Sequence, residues 1–316
     1  MSDNKRNLVI LFDGTWNDAD EKIDDATNVE KIYRLLPNSY INNIHYEEGV
    51  GTRSQESISG LIWGSGIDDR ILGSYRFLQS KFDGVDLRND QSKIYIFGFS
   101  RGAYTARTFA QLLYYCGVPQ KDGNPNKAWD AYYRQDLKLA EKLRDGGNFF
   151  DINIEMLGVW DTVKSTLDDD RNDMLLYPNV KYAYHAMAID EKRKLFPILR
   201  FRKDPRISEV WFAGVHSDIG GGYKRKESQL SDITLLWMVK AAEKHGLAFV
   251  SDYLDYLAPS PLGTMHNSLQ GVWKELGTQN RTILSKDILH VSVEERLLAS
   301  IRYEPTNIPN EPLFSI

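Results

Sequence analysis

Four apolar residues, Ile94-Tyr95-Ile96-Phe97, run into Gly98-Phe99-Ser100-Arg101-Gly102, and Ala103 to Leu113 follows with the composition of a helix. No other stretch constrains the fold as strongly. A serine squeezed between strand and helix takes a strained backbone conformation. Glycines two positions to either side remove the Cβ atoms that would collide with the adjoining strand and helix. The Ser100 hydroxyl is thereby raised above the end of a strand, and a helix starting at Arg101 points its N-terminal amides at the same spot. The five-residue pattern alone is common by chance; the strand before it and the helix after it give it meaning.

The remainder of the chain reads as the sheet such a turn requires. Leu8 to Phe12 is a continuous apolar run ending in Asp13-Gly14-Thr15, the pattern of a strand buried on both faces. Thr27-Asn28-Val29-Glu30 has capping-box spacing and opens a helix through Leu36, stopped by Pro37. Ile67 to Phe82 carries a helical stripe at Ile67, Ile71, Tyr75 and Leu78. Strands are expected at Lys93 to Phe97, Ile152 to Val159, Val210 to Val215 and Ile288 to Val293. Helices are expected at Arg101 to Cys116, Ala128 to Leu143, Val180 to Ile189 and Ser231 to His245, the last with Ser231 as N-cap and Gly246 as stop. Alternation of strands and helices implies an α/β fold, a mostly parallel sheet covered on both faces. The 316 residues read as one domain with helical insertions.

A serine nucleophile needs a base, and the base needs a carboxylate to orient it. Asp161 ends the Met156-Leu157-Gly158-Val159-Trp160 strand and His216 ends Trp211-Phe212-Ala213-Gly214-Val215. Both then fall at the C-terminal edge of a parallel sheet, beside Ser100, where open α/β sheets hold their ligands. The order serine, acid, histidine is the one this kind of sheet uses. His290 and His185 are the rival bases, His290 at the end of a late strand and His185 in a helical pattern that favours packing. Backbone amides of Arg101, and of Gly14 or Thr15 in the loop after the first strand, are the candidate oxyanion donors. Gly220-Gly221-Gly222 is read as the freedom that brings the His216 ring to the serine.

Composition narrows the partners. A formal charge of -5 with dispersed Lys and Arg argues against nucleic acid. The single Cys116 reads as a buried helical thiol, consistent with a reducing compartment. The apolar stretch after Met1-Ser2-Asp3-Asn4-Lys5-Arg6 is too short for a secretion signal, and nowhere do 18 apolar residues run together. The expectation is a cytoplasmic protein as synthesised, with signal-independent export open. No cofactor and no metal are expected, and oligomeric state is not legible. The acidic run Leu167 to Asp173 reads as a solvated loop, without the Gly and terminal Glu of a calcium loop.

Five blocks taken together resemble a known family. They are Phe12-Asp13-Gly14-Thr15-Trp16-Asn17, Gly98 to Arg107, Gly158-Val159-Trp160-Asp161-Thr162-Val163, His185 to Glu191, and Val210 to Tyr223. In this order, over residues 7 to about 300, they are similar to the catalytic domain of the type VI secretion phospholipase effectors and their uncharacterised relatives. The resemblance implies an α/β-hydrolase fold, Ser100 as nucleophile with Asp161 and His216 as partners, an ester or phospholipid substrate, and peripheral contact with a membrane. Two departures stand out: no additional membrane-associating region of the kind such effectors carry is recognised, and Asp83 to Gln91 reads as an insertion. Leu61, Ile62, Trp63 and the Leu254 to Leu262 stretch could form an apolar mouth, although core packing explains such residues more often. Two other classes compete. A metal-dependent phosphohydrolase could use Asp13, Asp161, His216 and Asp218, but Leu11 stands where its nucleophilic aspartate is needed, and chelator sensitivity would reveal it. A catalytically silent scaffold would not react with a fluorophosphonate.

Overall fold

Alternate residues of the first strand divide the core between the two faces of the sheet, because successive side chains of a strand point to opposite sides. Leu8, Ile10 and Phe12 enter one apolar cluster, whereas Val9 and Leu11 enter another. The computed structural model describes residues 6–14, 25–49, 66–85, 91–164, 173–299 and 302–315. Thr15, the Leu61-Ile62-Trp63 stretch and most of the acidic run lie outside them.

The elements in chain order are β1 (Asn7–Phe12), α1 (Asn28–Leu35), β2 (Ile44–Glu47), α2 (Ile67–Phe82), β3 (Lys93–Phe99) and α3 (Arg101–Cys116). Then come β4 (Val118–Pro119), α4 (Pro125–Tyr133), α5 (Leu137–Leu143), β5 (Phe149–Phe150), β6 (Ile154–Trp160), β7 (Val180–Ala188) and β8 (Ile207–Phe212). The chain continues through α6 (His216–Gly220), α7 (Gln229–Lys244), α8 (Val272–Glu275), β9 (Ile288–His290), α9 (Val291–Leu298) and β10 (Leu313–Ser315). Eight strands form one sheet in the order β10-β9-β8-β7-β6-β3-β1-β2, and every described pairing in it is parallel. The short β4 and β5 pair with each other, antiparallel.

Helices α2, α3 and α4 pack on the Leu8 face, and α1 with α7 on the Val9 face. A third cluster, with Met187, Trp211, Leu289 and Val293, fills the β8–β9 end. The order in which strands are added across the sheet reverses between β1 and β3: after β1 the path steps out to β2, and from β3 it steps the other way. That reversal puts a topological switch point at the C-terminal ends of β1 and β3, the place where open sheets of this kind bind ligands.

The α/β fold expected from the sequence is the fold observed, with several boundaries corrected. Within the expected helix Val180 to Ile189, residues Val180–Ala188 form a strand. The Ala-rich spacing suggested a helix, but Tyr184, Ala186 and Ala188 face the α1/α7 core while His185 faces Phe201, a period of two that pairing with both β6 and β8 imposes. Ala128 to Leu143 is two helices, broken near Gln135 at φ 53°. Helix α7 begins at Gln229 with Ser228 as its cap residue, so Ser231 lies inside it. Only Ile288 to His290 of the late strand is extended; Val291 onward is helix, with His290 as its N-cap. The Thr27 cap holds as read, its side chain accepting the Glu30 amide, an interaction that contributes about 1 kcal/mol.

Candidate active site

Ser100 sits between β3 and α3 at φ 59° and ψ -124°, outside the regions a non-glycine residue favours. Its neighbours leave no alternative. A Cβ on Gly98 would stand 2.5 Å from the Gly102 carbonyl oxygen, and a Cβ on Gly102 would stand 2.2 Å from the Phe12 carbonyl oxygen. The turn is therefore wedged between β1 and α3, and the Ser100 amide is tied to the Trp160 carbonyl of β6 at 3.0 Å. Ser100 itself is 6 % exposed.

His216 reaches Ser100 from the other side of β6. Its Nε2 lies 2.8 Å from Ser100 Oγ and its Nδ1 lies 2.6 Å from Asp161 Oδ2. Asp161 ends β6 at φ 36°, fully buried, and its second oxygen accepts the Ala188 amide at 3.0 Å. Arg281 donates to Asp161 Oδ2 at 3.0 Å. Burial alone would raise the Asp161 carboxyl. The Arg281 charge and the His216 contact outweigh it and hold the group at about 2, so it is a carboxylate at neutral pH. An ionised Asp161 can only accept. Nδ1 of His216 therefore carries the proton, which leaves Nε2 as acceptor for the Ser100 hydroxyl. Burial, the largest influence on His216, holds its imidazole below the usual 6.5, against the pull of Asp161.

The residues around this chain hold its parts in register. Phe99 lies against the His216 ring at 4.7 Å and Phe196 meets it edge-on at 5.2 Å. Glu191 is fully buried and accepts the His216 amide, while Arg193 donates to both of its carboxylate oxygens. Asp218 accepts the Val215 amide and both the amide and Nδ1 of His266. Gly221 and Gly222 take φ of 82° and 104°, the backbone freedom read for this loop, while a Cβ on Gly220 would strike the Phe99 ring at 2.0 Å, so that glycine lets the loop lie flat on the ring.

At the end of β1, Asp13 is fully buried and accepts from Tyr46 at 2.5 Å, Thr27 at 2.8 Å and the Gly14 amide at 2.6 Å. Burial pushes its carboxyl up to about 6, against the lowering effect of those donors. The Gly14 amide thus points at the Asp13 side chain, whereas the Arg101 amide opens α3 directly after Ser100. His185 has both ring nitrogens engaged elsewhere, with the Thr162 amide at 3.1 Å and Glu209 at 3.0 Å. His290 stacks on Phe212 and bonds Ser292. Sequence reasoning brought Ser100, Asp161 and His216 together, but it overlooked Arg281, which belongs to no motif. Glu191 was within reach, at the end of the block His185 to Glu191. Among the described residues no three His, Cys, Asp or Glu side chains cluster as metal ligands, and no helix is long and apolar enough to cross a membrane.

A strained serine between a parallel strand and a helix, at the switch point of such a sheet, goes with an α/β-hydrolase-like architecture. Residues 6–241 match the family described as T6SS, phospholipase effector Tle1-like, catalytic domain. The chain belongs to that family. The match stops within α7, short of the residue of about 300 to which the resemblance was expected to extend. The chain is 27% identical over 244 residues to the uncharacterized protein YEL023C of Saccharomyces cerevisiae, covering 66% of this chain and 35% of that one. A crystal structure of an uncharacterized protein from Pseudomonas aeruginosa shares the fold, with a TM-score of 0.56 at 20% identity over 81% of this chain and 49% of the other. The Tle1 effector bound to the VgrG spike of the type 6 secretion system aligns with a TM-score of 0.43 at 21% identity, over 72% and 52% of the two chains. This chain therefore spans about a third of the yeast relative and about half of each solved chain.

Proposed function

We propose that this protein is a serine hydrolase that cleaves the carboxylic ester of a lipid, a phospholipid or a related acyl ester, through an acyl-enzyme. The observation that carries the reading is the hydrogen-bond chain from Ser100 through His216 to Asp161, at 2.8 and 2.6 Å, anchored on a serine at φ 59°. Ser100 Oγ attacks the ester carbonyl while its proton passes to His216 Nε2. The imidazolium, stabilised by Asp161, then protonates the leaving alcohol. Water attacks the acyl-enzyme by the same proton route, releasing the acid and restoring the serine. The Arg101 amide at the start of α3 supplies one donor to the tetrahedral oxyanion. Gly14 would join it only by releasing Asp13, and Thr15 lies outside the described residues. Peripheral contact with a lipid surface belongs to the same reading: Leu254, Tyr256 and Leu262 are more than half exposed on one stretch.

The test is labelling by a fluorophosphonate, followed by release assays on short-chain aryl esters and on phospholipid vesicles. Wild type is expected to label and Ser100→Ala to lose labelling. His216→Ala is expected to lower ester hydrolysis at least about a thousandfold, and Asp161→Asn somewhat less. A wild-type enzyme that neither labels nor releases acid would remove the reading, and preference for monomeric short esters would remove the phospholipid part.

A further inference from the structure

The segment after α7 returns across the mouth of the sheet and touches the acidic groups around the serine one after another. His266 holds Asp218, and Ser268 donates to Glu191 at 3.0 Å. Trp273 packs edge-on against Phe196 at 5.4 Å, and Phe196 in turn contacts the His216 ring. Backbone bonds from Gln279 to Lys192 and from Lys194 to Gly277 fasten the segment before Arg281 enters the interior. The returning segment's own residues, from His266 to Arg281, lie beyond the stretch that matches the family, which ends at residue 241.

Arg281 is 5 % exposed and donates through one nitrogen to the carboxylate oxygen that also holds His216 Nδ1. Its other terminal nitrogen, Nη1, is buried with no hydrogen-bond partner. An arginine recruited for stability alone is best served by a two-pronged pair with every donor met, because a buried cation pays heavily for idle donors. Here the guanidinium meets one oxygen, and that oxygen is the one on which the histidine depends.

On the reading of Ser100 as nucleophile, we propose that Arg281 is a positioning residue, which pins the shared Asp161 oxygen so that the carboxylate stays charged and aimed at His216. The groups facing this pair are few. His216 meets Ser100 from the β3–α3 turn, Glu191 and Arg193 from the loop after β7, and Asp161 from β6. Asp161 meets His216, Arg281 and, at longer range, His185 of β7. Arg281 is the cation in direct contact with the carboxylate. Its positive charge also opposes a proton on His216. Without it, the next proton is taken up by the Asp161–His216 pair at higher pH, whichever of the two groups holds it, and the pair titrates as a unit.

The measurement is the second-order rate of fluorophosphonate labelling of Ser100 against pH in the intact chain, for wild type, Arg281→Gln and Arg281→Lys. Arg281→Gln is expected to move the acid limb up by about one pH unit or more, a tenfold loss on the acid side. Arg281→Lys, which keeps the charge, is expected to restore most of the wild-type limb. A limb that stays in place in Arg281→Gln, or moves as far in Arg281→Lys, overturns the proposal, since a merely structural arginine would lower rates at every pH together. Arg281→Met takes the place of Arg281→Gln should that variant not fold, and failure of both neutral variants to fold overturns the proposal in favour of a structural ion pair. Loss of labelling in wild type takes down the hydrolase reading as well, whereas a labelled wild type with an unmoved limb removes only the role of Arg281.

Discussion

Gly102→Ala tests the wedge that raises Ser100. The added Cβ would stand 2.2 Å from the Phe12 carbonyl oxygen, 2.5 Å from that of Asp13 and 2.8 Å from the Phe12 carbonyl carbon, all backbone atoms. Contacts under 3.0 Å are essentially never found for a Cβ, so the first turn of α3 must move away from β1 by about 0.8 Å or more. Ser100 lies two residues before Gly102 on that turn, and its bond to His216 is 2.8 Å long. A displacement of this size lengthens the bond beyond hydrogen-bonding range. Overpacking against backbone costs roughly 1–3 kcal/mol of stability, and misplacing a nucleophile by about 1 Å costs on the order of a hundredfold in rate. Thermal unfolding and the kcat for a short-chain aryl ester measure the two effects separately. Gly146→Ala is the control, because nothing lies within 4 Å of its added Cβ, and its stability should stay within about 0.5 kcal/mol of wild type. A Gly102→Ala variant with wild-type melting and activity within about threefold would show that the turn is not wedged and would refute the reasoning.

Two further expectations concern titration. His216 must be neutral to take the Ser100 proton, and its buried imidazole gains a proton only below the usual 6.5, so kcat/KM should be flat at neutral pH and fall as pH drops through a midpoint under 6.5. Asp161, held at about 2, stays ionised across that range, and a midpoint above neutrality would contradict the burial argument. Burial pushes the Cys116 thiol up to about 12, so an aromatic disulfide reagent should leave the native protein untouched and react only as it unfolds. Prompt stoichiometric reaction in buffer would count against that packing.

The reach of the linear chain can be judged residue by residue. The Ser100 turn was legible because its demands are local: a strand, two glycines and a helix are written in consecutive residues, and steric exclusion acts over that short range. Asp161 and His216 were legible because each ends a strand-like run, and parallel sheets collect such ends on one edge. Strand β7 was misread since Ala183, Ala186 and Ala188 suit a helix locally, and only the two neighbouring strands with which they pair make them extended. Of the rival bases, His185 has its two ring nitrogens on Thr162 and Glu209 and His290 has its Nδ1 on Ser292, contacts that only the folded chain makes.

By itself, then, the amino-acid order determined a raised serine, the layered α/β plan that supports it, and the succession of serine, acid and histidine along one sheet edge. Tertiary structure decided which imidazole meets the serine, what keeps its carboxylate charged, and how a segment 120 residues past Asp161 brings Arg281 to it. The physical reason is range. Backbone sterics and apolar periodicity act between near neighbours and leave a mark in the sequence, whereas the charge on Asp161 is set by groups that only folding brings within 3 Å.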